Sequence, residues 1–147
     1  MFEEILQKLK LQLEANVLIE HTQDWEDIQT DADPWAIIVP SDNESEYNTT
    51  EENARVYAFK IMLFVSRTVR AKSAADRVMR VLVDSVIDDI DKDYAFIDAG
   101  VPTKTGYTFL ANYAAPSTWG YAMPEDEYRV ATINVRALVS VDLNSIS

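Results

Sequence analysis

From Ser73 to Asp93, apolar residues recur at three- and four-residue steps. Val78, Met79, Leu82, Val86 and Ile90 align on one side of a helix, and Ala75, Val83 and Ile87 widen the stripe. Asp76, Arg77, Arg80, Asp84, Asp88 and Asp91 fall mostly on the other side. Ser73 stands just ahead of the pattern, where its hydroxyl can cap the first free amides, with Asp76 three residues on as a capping-box partner. The pattern predicts one long amphipathic helix, and a stripe that wide needs an apolar surface to cover.

The segments on either side are read as strands that supply it. From Arg55 to Val69, Tyr57, Phe59, Ile61, Leu63 and Val65 share one face, and Val56, Ala58, Met62 and Phe64 share the other, interrupted by Lys60. Apolar residues on both faces predict a central strand covered on part of each side. From Tyr128 to Val141, Ala131, Ile133, Val135, Ala137, Val139 and Val141 alternate with Thr132, Asn134, Arg136 and Ser140, the signature of a half-buried strand.

Elsewhere the pattern is shorter. Phe2 to Glu14 reads as a helix with Phe2, Ile5, Leu6, Leu9 and Leu13 on one face and Gln7, Lys8, Lys10 and Gln12 outside. Asn16 to Ile19 fits a short strand, and His21 to Pro34 reads as a polar loop pinned by Trp25. Trp35 to Val39, bounded by Pro34 and Pro40, has the form of a buried strand between breakers. Ser41 to Asn53 holds Asp42, Glu44, Glu46, Glu51 and Glu52 with only Tyr47 to bury, and reads as a long mobile loop that orders on assembly. Tyr94 to Glu127 is irregular, with all three glycines and many aromatics, and Tyr107 to Tyr113 is its one strand candidate. Together these elements predict an α+β fold: a mixed, mainly antiparallel sheet with an N-terminal helix and one long amphipathic helix packed on it.

Composition narrows what such a fold can do. At 147 residues, one domain spanning 1–147 is the expectation, long enough to bury a core without staples. The chain has no cysteine, which removes disulfides, thiolate catalysis and cysteine-based zinc sites. A net charge of −12 predicts repulsion from free nucleic acid and from anionic membranes. No apolar run is long enough to span a bilayer, and the acidic start Met1-Phe2-Glu3-Glu4 is unlike a secretory signal. A cytosolic product, or one assembled in the cytosol, is therefore expected.

Catalytic patterns are missing. His21 is the only histidine, no Gly-x-Ser-x-Gly elbow or glycine-rich phosphate loop is present, and no lysine has an acid two positions before it. The sequence is therefore read as that of a non-enzyme without a cofactor. Asp88, Asp89, Asp91 and Asp93 crowd the helix C-terminus against its dipole. A hydrated acidic face, a bound divalent cation and a basic neighbouring chain all satisfy that pattern. Arg67, Arg70, Lys72, Arg77 and Arg80, opposed only by Asp76, give their window a charge of +4 against −16 for the remainder. Stacking aromatics are not interleaved with these bases, so the patch is read as meeting acidic protein surface, as a subunit interface would, or as a solvated turn.

The order of segments carries a resemblance. An N-terminal helix precedes Pro34-Trp35-Ala36-Ile37-Ile38-Val39-Pro40 and a polar loop, followed by Arg55-Val56-Tyr57-Ala58-Phe59-Lys60-Ile61 and the helix with Ala75-Asp76-Arg77-Val78. Trp119-Gly120-Tyr121 and Tyr128-Arg129-Val130-Ala131-Thr132-Ile133-Asn134-Val135 complete it. This pattern resembles the small tail-terminator (tail-completion) and neck proteins of long-tailed bacteriophages. The resemblance implies a sheet flanked by helices in a subunit that forms a hexameric ring. The ring caps the tail tube protein, ends its polymerisation and meets the head–tail connector proteins. DNA passes through the lumen without specific binding, and no membrane is involved. It implies a location in the tail or neck of a virion assembled in the host cytoplasm. No family motif transfers as a site. Another head–tail joining or tail tube protein, and a small acidic DNA-mimic inhibitor, fit the same composition.

Overall fold

The computed structural model describes residues 2–25, 33–41, 46–47, 54–67, 72–92, 107–122 and 128–141. Its elements are helix α1 (Phe2–Ala15), strands β1 (His21–Gln23), β2 (Trp35–Pro40), β3 (Glu46–Tyr47) and β4 (Ala54–Ser66), helix α2 (Lys72–Lys92), and strands β5 (Tyr107–Ala122) and β6 (Tyr128–Val141). The six strands form one sheet in the order β1-β2-β4-β6-β5, with β3 pairing β4 beyond the end of β2. Only β1 and β2 run parallel; every other pairing is antiparallel. The fold is therefore α+β, with a mixed, mainly antiparallel sheet.

Alternation in the two long central strands sets the layers. β4 and β6 pair from Ala54↔Ser140 to Ser66↔Tyr128, which puts Tyr57 opposite Ala137, Phe59 opposite Val135, Ile61 opposite Ile133 and Leu63 opposite Ala131. These residues form one buried face. Both helices lie on it: α1 brings Ile5, Leu6, Leu9 and Leu13, and α2 brings Ala75, Met79, Leu82, Val83, Val86 and Ile90. α1 packs over β1 and β2, whereas α2 spans β4, β6 and β5. The opposite face has its own smaller core, with Trp35, Ile37, Val39 and Phe64 buried and Met62, Tyr128 and Val130 packed against them. There the Trp35 and Phe64 rings stack at 4.3 Å between centroids, and Tyr128 meets each edge-on at 6.3 Å. Two apolar faces on β4 thus correspond to two cores, as its sequence requires.

Several elements depart from the sequence pattern. Asn16 to Ile19 forms the turn that ends α1. The Asn16 amide donates to Leu13 O (3.1 Å), that of Ile19 to Asn16 O (3.2 Å), and that of Leu18 to Asn16 Oδ1 (2.9 Å). Asparagine competes with regular structure through such local bonds, so apolar neighbours alone did not make a strand here. The strand comes next, at His21–Gln23, inside the stretch read as polar loop. It is held by ladder bonds to β2 and by the Glu20 amide, which donates to Pro34 O at 2.8 Å. Trp25 in this stretch is exposed and is not one of the buried core residues.

Lys8, expected on the outer side of α1, is 1% exposed, because α1 packs against both β1 and β2 and is covered beyond its leucine stripe. Within the acidic segment, Glu46 and Tyr47 pair with Val56 and Arg55, so part of the expected loop is a strand. An aromatic residue opposite the extended start of β4 suits that pairing. Asp42, Glu44, Glu51 and Glu52 lie outside the described residues. β5 runs nine residues past Tyr113, through Pro116 and Gly120, with irregular register at Phe109/Ala111 and Pro116/Thr118. Proline is tolerated because β5 ends the strand order and Pro116 sits at one of these irregularities. Ser73 lies within the first turn of α2 and not ahead of it.

Candidate assembly surface

α2 exposes one narrow face once its stripe is covered. Arg77, Arg80, Val81, Asp84, Asp88 and Asp91 are all exposed, and at 100° per residue they fall within one side of the helix. The face is electrically divided. Its N-terminal half carries two arginines and its C-terminal half three aspartates, with Val81, 60% exposed, between them. Like charges are neighbours at Arg77/Arg80, Asp84/Asp88 and Asp88/Asp91, each spaced three or four residues. Such pairs destabilise an isolated helix by roughly 0.2–0.5 kcal/mol each. Asp88 and Asp91 also approach the negative end of the helix dipole. Arg80 and Asp84 are the one opposite-sign spacing across the junction between the halves.

An apolar recess adjoins the basic half. Leu18, Pro34, Val78, Val81 and Leu82 line an open pocket of about 340 Å³, with Arg77 on its wall. The turn after α1 contributes Leu18, and Val17 beside it is 95% exposed. The turn is fixed to α2: buried Asn16 donates through Nδ2 to Ser85 Oγ (3.0 Å) and to Asp89 Oδ2 (2.8 Å). Asp89 is therefore used inside the subunit, whereas Asp88 and Asp91 point outward. Among the described residues, no three His, Cys, Asp or Glu side chains converge as metal ligands would. Asp93 lies outside the described residues.

The five bases singled out by sequence are distributed unequally. Arg77 and Arg80 lie together on the exposed α2 face. Arg67 follows β4, half-buried, and is already engaged within the chain. Lys72 is the first residue of α2, with its side chain outside the description, and Arg70 lies outside the described residues.

Asp76, the one acid in the basic window, serves a different purpose from helix capping. Its Oδ1 lies 3.0 Å from Arg129 Nε and forms an ion pair with the guanidinium. Arg129 also donates to Gly120 O at 3.0 Å, and its guanidinium lies 5.6 Å from the centre of the Trp119 ring. This clamp ties the start of α2 to the ends of β5 and β6, and it commits Asp76 internally, away from Arg77 and Arg80. The sequence held a signal for it: Arg129 occupies an inward position of the β6 alternation, where an arginine needs an acid and an aromatic to cover it.

His21 sits in β1, half-buried, with no second catalytic group type beside it in the strand. Among the described residues no helix is long and apolar enough to cross a membrane.

The sequence matches no protein-family model, and no curated protein matches it. The fold does have counterparts among solved structures. A chain from the "Virion of native gene transfer agent (GTA) particle" superposes with a TM-score of 0.57 at 17% identity, covering 92% of this chain and 94% of that one. A second solved chain aligns at a TM-score of 0.48 and 7% identity, too distant to bear on function.

Proposed function

We propose that this chain is a structural subunit of a phage-like particle, and specifically a tail terminator. In this reading, copies of the chain form a ring, hexameric by the family resemblance. The ring caps the tail tube, stops its polymerisation and presents a surface to the head–tail connector. The observation that carries the proposal is the end-to-end likeness to a chain of a gene transfer agent virion, which spans nearly all of both chains. The order of sequence segments leads independently to the same kind of particle.

The surface chemistry agrees with that role. A closed ring needs a heterologous contact, in which one patch meets a different patch on the next copy. The basic patch built on Arg77 and Arg80, with Arg67, Arg70 and Lys72 as further members of the proposed interface, is one such patch, and the acid that dominates the rest of the chain supplies the other. The acidic segment holding Asp42, Glu44, Glu46, Tyr47, Glu51 and Glu52 is the second proposed assembly element. A net charge of −12 lets DNA slide through a lumen without sticking. The role requires no cofactor and no catalysis.

Negative-stain imaging of the purified protein tests the reading. Uniform rings, and arrest of tube growth when the protein is added to polymerising tail tube protein, are the expected results. Long tubes of the chain alone would identify a tube protein. Single particles at every concentration, bound to a host protein, would identify an acidic mimic.

A further inference from the structure

The exposed charges of α2 are arranged about one residue. Arg77 and Asp91 stand seven positions before and after Asp84, and Arg80 and Asp88 stand four positions before and after it. Each arginine is thus mirrored by an aspartate at the same distance along the helix, about 10 Å for the outer pair and about 6 Å for the inner one. At 100° per residue the five fall within a stripe of about 80°. All five are exposed, and the stripe lies opposite the buried one of Ala75, Met79, Leu82, Val86 and Ile90 that meets the sheet. It is therefore the outer ridge of the helix. Among the described residues nothing forms an ion pair with any of the five.

We propose that two copies of the chain pair through this ridge, with their α2 helices antiparallel about a twofold axis at Asp84. The twofold reverses the partner helix. It carries the second copy's Asp91 to Arg77 and its Asp88 to Arg80, and it repeats both contacts on the other side of the axis. Packed helices run about 8–10 Å apart, a gap that arginine and aspartate side chains span together. Charge complementarity selects this occupant. A ridge that changes sign about its own midpoint is complementary to its own reversed copy, whereas a partner of one sign would be repelled by half of it. The contact also relieves the cost of the arrangement within one chain, because the crowded aspartates at the negative end of one helix gain the arginines of another. The cost of pairing falls at the axis, where the two Asp84 carboxylates approach, and it is offset by the Arg80 of each copy one turn away. Asp89 takes no part, because Asn16 holds it within the subunit. A ridge of four helical turns is smaller than a standard stable interface, so the pair is weak and salt-sensitive. The inference goes beyond the ring reading and does not rest on it, since a twofold contact closes on two copies. It covers Arg77 and Arg80, so a paired subunit is withheld from any ring that uses those residues.

The chain has no cysteine, so a single introduced one reports which residue meets its own copy. Only a residue on the axis does. Under mild oxidation at low salt, Asp84→Cys should form a disulfide-linked dimer. Arg77→Cys, about 21 Å along the axis from its own copy, should cross-link at least about tenfold more slowly. Charge exchange checks the same contact without cysteine. Arg77→Glu/Arg80→Glu and Asp88→Arg/Asp91→Arg should each pair at least about tenfold more weakly than the parent in sedimentation velocity, and their mixture should give one-to-one pairs. The fourfold exchange Arg77→Asp/Arg80→Asp/Asp88→Arg/Asp91→Arg rebuilds the mirrored pattern and should pair again. All five positions are exposed, and circular dichroism checks that each variant folds. Equal cross-linking at positions 77 and 84, a folded fourfold exchange that stays monomeric, or a parent that stays monomeric at low salt would each overturn the pair. Rings of the parent without cross-linking of Asp84→Cys would overturn the pair and leave the ring reading standing. A parent that pairs as described but never forms rings, even with tail tube protein, would overturn the ring reading and uphold the pair.

Discussion

Leu82→Ala is the sharpest test of how α2 is held. Leu82 is 1% exposed and belongs to the core shared by α2, β4 and β6. The substitution removes three carbons, worth about 2.4 kcal/mol at roughly 0.8 kcal/mol per buried carbon. A cavity adds to that in proportion to the volume left empty, and leucine-to-alanine changes in closed cores span about 2.7–5 kcal/mol. Leu82 also forms one wall of the open pocket beside Val81, so part of the vacated space joins the existing recess instead of becoming a sealed void. The expected loss is therefore at or just below the lower end of that range, about 2–3.5 kcal/mol, or roughly 5–10 °C in Tm for a domain of this size. Val81→Ala, one residue away and 60% exposed, should change stability by less than about 0.5 kcal/mol. Urea melts of dilute protein at unchanged m-value measure both. A Leu82 loss below 1 kcal/mol, or a Val81 loss equal to it, would refute the placement of the buried stripe.

Trp35→Ala should cost about 3–5 kcal/mol, because it empties the stacked core on the opposite face of the sheet; a loss near zero in the same melts would mean that this face has no packed core. A double-mutant cycle on Asp76→Asn and Arg129→Met should give a favourable coupling of about 1 kcal/mol or less, as for a partly exposed pair, and a coupling of opposite sign would deny the clamp. Hydrogen exchange across residues 41–53 should slow when rings form; equal rates in free and assembled protein would remove that segment from the proposed interface.

Periodicity made most of the fold readable. β6 was bounded to the residue because Ala131, Ile133, Val135, Ala137 and Val139 alternate without interruption. The apolar stripe of α2 was likewise complete at the level of single residues. β1 escaped because His21, Thr22 and Gln23 carry no apolar signal, and their strand is made by backbone pairing with a neighbour fixed elsewhere in the chain. β5 was cut short because Pro116 and Gly120 weigh as breakers locally, whereas a strand at the end of the order tolerates them. The charge cluster was visible as a window in sequence. Its true division was not, because Asp76 turns inward to Arg129 and the opposing acids come from the next turns of the same helix. Linear proximity shows net charge, while the face on which a charge lies depends on what the rest of the helix covers.

The β4–β6 pairing has a consequence for how the protein is made. Every residue pair along it spans more than sixty positions, and α2 lies between the two strands in the chain. On the ribosome, β4 emerges with apolar residues on both faces and waits for a partner more than sixty residues behind it. Until then its β6 edge is bare, a template for pairing with any other nascent chain. Closure of the sheet therefore waits until β6 has been translated, after α2 and β5. A chain cut short before Tyr128 would be aggregation-prone, not a smaller working subunit. That timing acts as a quality check, since only a copy translated through β6 can close its sheet.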